Sequence, residues 1–157
     1  MIKLIASLTL LIFSINCHIG LPSEAKLTKK FLENKADFYG LATMLNEDDN
    51  IVRLSDDYVF YTGPDERTIS EERVGEYRQI LHKLGIENGI HRDNPRSVRL
   101  IASSQGIPIA TYSKSYLYST ENPESLVESI DKFVSHRKQS PVYKKLEDNW
   151  YLEYESW

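Results

Sequence analysis

A chain of 157 residues with 41% apolar and 27% charged side chains has the size and composition of one globular domain, which excludes two separate cores and a disordered or collagen-like chain. With 19 Lys and Arg against 23 Asp and Glu, the formal charge of -4 gives no general attraction to a phosphate backbone, so nucleic acid is not an expected partner. A single Cys excludes an internal disulfide framework and a multi-cysteine metal site.

The chain opens Met1-Ile2-Lys3 and then runs apolar over residues 4–15, the charged start and hydrophobic stretch of an export signal. Gly20 and Pro22 interrupt it, and Ser23-Glu24-Ala25 sets small residues where a signal peptidase needs them, so residues 1–25 read as a signal peptide and residues 26–157 as the mature domain. A competing reading ends the signal at residue 16. Cys17 directly follows the apolar stretch and could be lipidated as the first residue of an anchored lipoprotein, although Ser14-Ile15-Asn16 lacks the Leu and small residue such processing prefers. No other stretch approaches membrane-spanning length, so the mature chain is expected to carry no transmembrane segment.

Residues 23–45 read as one helix, because Leu27, Phe31, Phe38, Leu41 and Leu45 form a single apolar stripe. Residues 51–54 and 58–62 read as a hairpin around Ser55-Asp56-Asp57. A second helix follows, capped by Thr68 in a capping box with Glu71 or, as the alternative, by Ser70, striped by Val74, Tyr77, Leu81 and Leu84, and closed by Gly85. Strands are expected at 89–92, 97–102 and 107–118, with Ser103-Ser104-Gln105-Gly106 as a turn and Pro108 marking an edge position or a strand start. Asn122-Pro123-Glu124 opens a third helix through Leu126, Val127, Ile130, Phe133 and Val134, ended by His136-Arg137-Lys138. Strands at 142–146 and 150–155 finish the chain, the last with Trp150, Leu152 and Tyr154 facing the core and Tyr151, Glu153, Glu155 and Trp157 at the surface or an edge. That order predicts an α+β fold: a single compact domain with a mainly antiparallel sheet and about three helices.

No phosphate loop, dinucleotide fingerprint, paired-His motif or nucleophile elbow is present, and no cofactor or metal site is expected. Two segments concentrate recognition chemistry. His91, Arg92, Arg96 and Arg99 gather three guanidinium groups about the turn at Pro95, a pattern suited to carboxylate or phosphate, or else to the chain's own acids such as Asp56, Asp57, Glu147 and Asp148. Strand alternation places Tyr112, Lys114, Tyr116 and Tyr118 on one face, which reads as an amphipathic contact surface or, if helices cover it, as core. The sequence therefore predicts an exported, non-catalytic binding protein whose partner is a protein or an envelope component. The alternatives are a small periplasmic hydrolase using His91 and a lipid-anchored envelope assembly factor held by Cys17.

Overall fold

The computed structural model describes residues 20–63, 68–107, 110–133 and 139–156. Residues 1–19 of the expected export signal, Cys17 among them, and Pro108, the His136-Arg137-Lys138 end of the expected third helix and Trp157 lie outside them.

The fold is α+β, a single compact domain with, among the described residues, three helices and a seven-stranded antiparallel sheet. The first apolar stripe is divided between α1 (Glu24–Glu33) and α2 (Lys35–Glu47). The break is at Asn34, with φ -125° and ψ 27°, whose side-chain amide donates to the Lys30 carbonyl at 2.8 Å. Such local bonding offers the backbone an alternative to continuing the helix. Leu27, Phe31, Phe38, Leu41 and Leu45 are all buried, so the stripe is kept although the helix is not continuous. In α3 (Glu71–Leu84) the cap is Ser70, the alternative, and not Thr68: Ser70 Oγ accepts from the Arg73 N–H at 3.1 Å, and Gly85 closes the helix in the left-handed region at φ 61° as expected.

The strands are β1 (Ile51–Leu54), β2 (Val59–Tyr61), β3 (Ile90–Asn94), β4 (Ser97–Ile107), β5 (Ala110–Ser119), β6 (Gln139–Glu147) and β7 (Trp150–Ser156), in the sheet order β2-β1-β3-β4-β5-β7-β6. The expected turn at Ser103-Ser104-Gln105-Gly106 is instead part of β4. Ser103 pairs with Lys114, Ser104 with Ser113, Gln105 with Tyr112 and Gly106 with Thr111. A register shift between Ile101 and Ser103 absorbs the irregularity that the small polar residues suggested.

The expected third helix is largely absent from the described residues, where only Ile130–Phe133 form a 3-10 turn. Residues 125–127 spend their backbone groups on the border of the sheet: the Val127 N–H donates to the Tyr143 carbonyl at 2.7 Å, and the Tyr143 N–H donates to the Ser125 carbonyl at 2.9 Å. A residue cannot make these bonds and an α-helical ladder together. β6 is the border strand that receives this cover, and Pro141 sits in it as proline does at sheet edges.

The core lies between the helices and one face of the sheet. Phe38 stands 4.7 Å from Tyr116 and 5.3 Å from Trp150 between ring centroids, and Phe31 stands 5.0 Å from Phe38, so α1 and α2 are locked onto β5 and β7 by tilted and edge-on ring contacts. β7 lies between β5 and β6 and is buried on both faces; Tyr151 and Glu153, expected at the surface, are each 1% exposed.

Candidate functional site

The register of the sheet separates the sequence's candidates into two faces. Arg53 stands opposite His91, His91 opposite Arg99, Arg99 opposite Leu117, and Leu117 opposite Tyr151. The next row runs Ile101, Ser115, Glu153 and Tyr143. These rows lie on the outer face, away from the helices. Strand alternation sends Arg92, Leu100, Lys114, Tyr116 and Leu152 to the helix side.

The tyrosine face is therefore core rather than a recognition surface. Tyr116 is fully buried and its hydroxyl donates to the Leu27 carbonyl at 3.0 Å, while Tyr112 and Tyr118 are partly buried against the same cluster. Lys114, 2% exposed, is bonded within the domain to the Pro22 carbonyl and to Asp131. Helices cover this face because its rings and the stripe on α1 and α2 supply the apolar area of the core.

The arginines separate in the same way. Arg92 is buried and holds backbone carbonyls, its Nε donating to Ile51 at 2.9 Å and its Nη2 to Leu45 at 2.5 Å. It ties β3 to β1 and to α2, and burial lowers its pKa. Arg96 is exposed and pairs with Glu121. Arg99 grips Asp93 in bidentate fashion, Nε to Oδ2 at 2.7 Å and Nη2 to Oδ1 at 2.8 Å, and donates from Nη1 to Glu155 at 2.7 Å. Burial opposes its charge, but the surrounding carboxylates of Glu153, Asp93 and Glu155 outweigh that and raise its pKa. All three guanidiniums are thus committed within the chain, and none of their partners is one of the acids the sequence had suggested.

A groove of about 540 Å³ remains on the outer face, lined among others by Arg53, Tyr58, His91, Arg99, Ser113, Ser115 and Glu155. Its volume is in the range of ligand pockets. Arg53 is exposed and makes no ion pair with any described residue. His91 is half-buried and its pKa is lowered, by burial first and also by Arg53 and Arg99, against the opposing pull of Asp93. Its Nδ1 lies 3.9 Å from Asp93 Oδ1, beyond hydrogen-bonding distance, so the two are not assembled as a base with its orienting acid.

Next to the groove, Glu153 is pushed up to about 7, chiefly by burial, with Glu155 and Asp93 adding to the shift and Arg99 opposing it. Among the described residues no group of three or more His, Cys, Asp and Glu is placed to hold a metal ion, and no helix is long and apolar enough to cross a membrane.

Sequence reading places His91 and Arg99 in this site and misses Arg53, Tyr58, Ser113, Ser115, Glu153 and Glu155. The alternation that sets Tyr112 and Tyr116 inward sets Ser113 and Ser115 outward, so the signal for those two was present in the same strand. Arg53 has no such signal, since only the pairing of β1 with β3 brings it beside His91. No protein-family model, curated protein or solved structure matches this chain.

Proposed function

We propose that this chain is an exported, non-catalytic binding protein that engages a protein or envelope component through the outer face of its sheet. The observation that carries the reading is the groove itself, where the guanidinium of Arg53, which has no ion partner among the described residues, stands with His91 and the ring of Tyr58, which is 45% exposed, over a floor that includes the buried Ser113 and Ser115. An arginine fork without an ion partner among the described residues suits a carboxylate or phosphate on the partner, and the ring adds contact area. The hydrolase reading keeps one supporting observation: a His with lowered pKa shares a groove with serines. Its separation from Asp93 weighs against it.

The test is capture from the native envelope with the wild-type chain and with Arg53→Glu, a substitution at an exposed position that leaves the core untouched. The expected result is a stoichiometric partner whose recovery falls at least about tenfold with the variant, the effect of losing one charge-assisted contact. Equal recovery with both chains removes the groove as the binding face. Turnover of ester or amide substrates that is lost in His91→Ala, with no partner recovered, establishes the hydrolase.

A further inference from the structure

The residues that precede α1 are built into the domain. The Lys114 ammonium, buried at 2% exposure, donates to the Pro22 carbonyl at 2.8 Å and pairs with the Asp131 carboxylate. The Glu24 backbone N–H donates to that same carboxylate at 3.0 Å. The side chain of Glu24 accepts from the Ile130 N–H at 2.7 Å and pairs with Lys144. Ser23 starts the helix, its Oγ accepting from the Lys26 N–H at 3.3 Å and its carbonyl from the Leu27 N–H at 3.1 Å, and Leu21 packs against the core. Residues 21–24 thus join α1 to β5, β6 and the 3-10 turn.

A cut after Ala25 would remove every contact made by residues 21–24 and leave only the Lys114–Asp131 pair. Lys114 would keep a buried charge with one of its two partners gone, and a buried charge stripped of partners is among the most destabilising lesions a fold can carry. The start of α1 would lose its cap and gain the α-ammonium of Lys26 at the positive end of the helix dipole. The small side chains that resemble a cleavage motif have another origin here: Ser23 is a helix cap, and Ala25 is an exposed residue in the first turn of the helix.

We infer that residues 21–25 remain attached to the domain after export and that the chain is not cut after Ala25. This goes beyond the binding reading and does not depend on it. The test is intact-mass measurement of the full-length chain expressed in a bacterial host and recovered from its envelope. The expected mass retains residues 21–25, whether the first residue is an acylated Cys17, another residue upstream or Met1; a mature chain beginning at Lys26 overturns the inference. A second measurement uses Ala25→Gln in the full chain, which puts a large side chain where a signal peptidase would need a small one, at an exposed helical position. The variant is expected to give the same first residue as wild type in the same yield. Accumulation of uncut precursor by the variant, where the wild type is processed, overturns the inference as well.

Discussion

Glu153 and Ser115 stand opposite each other across the ladder between β5 and β7, and each has a buried side-chain oxygen, Oε2 and Oγ, with no hydrogen-bond partner among the described residues. Arg99 approaches no closer than 3.6 Å to that carboxylate oxygen, because its donors are held by Asp93 and Glu155. A neutral Glu153 that keeps its proton suits these surroundings better than an anion does.

The pH dependence follows from the direction of that shift. Glu153 is raised from 4.5 to about 7 in the fold, so the folded state holds a proton that the unfolded chain releases. Its contribution to stability is full below the unfolded value and is lost as pH rises towards and through about 7. Glu153→Gln keeps the neutral shape and is expected to raise stability at pH 8 by about 2 kcal/mol, while flattening the pH profile between pH 5 and 7. Thermal melts of both chains across that range check it, and parallel profiles for the two would refute it.

Arg73 and Tyr77 converge on one carboxylate. The Arg73 Nε and the Tyr77 hydroxyl each donate to Asp48 Oδ2 at 2.8 Å, which ties α3 to the end of α2. Tyr77 is fully buried and has its pKa raised by burial and then by this bond. Asp48→Ala is expected to cost about 2–3 kcal/mol by leaving a buried hydroxyl unpaired. Urea unfolding measures it, and adding Tyr77→Phe should recover part of the loss.

Two glycines should respond in opposite directions. Gly89 has φ +73°, and a Cβ there would stand 2.0 Å from the Leu54 carbonyl oxygen, so Gly89→Ala is expected to lose about 3 kcal/mol or more where β3 begins beside β1. Gly75 lies inside α3 with nothing within 4 Å of its added Cβ, so Gly75→Ala is expected to gain up to about 1 kcal/mol. Melting temperatures of the two variants suffice as the check.

Replacing both the charge and its need for partners should be gentler than removing one partner. Lys114→Met is expected to stay within about 1.5 kcal/mol of wild type, whereas Asp131→Ala leaves the buried ammonium short of a carboxylate and is expected to cost about 3 kcal/mol. Chemical denaturation of the pair separates the two effects. Equal losses would mean that Asp131 acts through Glu24 alone.

Local signals were legible where local bonds decide the outcome. Gly85 and the stripe of α3 act within one helix and are found as read, while the cap falls to Ser70, the second choice, in place of Thr68. The division at Asn34 and the absence of most of the third helix from the described residues are decided by other groups: a side-chain amide that shares the Lys30 carbonyl with its own backbone N–H, and a border strand that takes the backbone of residues 125–127. At the site, alternation correctly grouped Tyr112, Lys114, Tyr116 and Tyr118 on one face but could not show that helices lie over it. Arg92 and Arg99 look equivalent along the chain. One residue's difference in register sends Arg92 to backbone carbonyls in the interior and Arg99 to carboxylates outside.

Trp150 gives the domain a spectroscopic reporter. Its ring is wholly buried among Phe31, Phe38 and Tyr118, and its indole N–H has no hydrogen-bond partner among the described residues. An indole in so dry a setting emits at short wavelength, and the chain's other tryptophan, Trp157, can be removed by substitution. Emission from the remaining ring then follows one event, the seating of the helix layer on the sheet, and a red shift marks its departure even while strands stay paired.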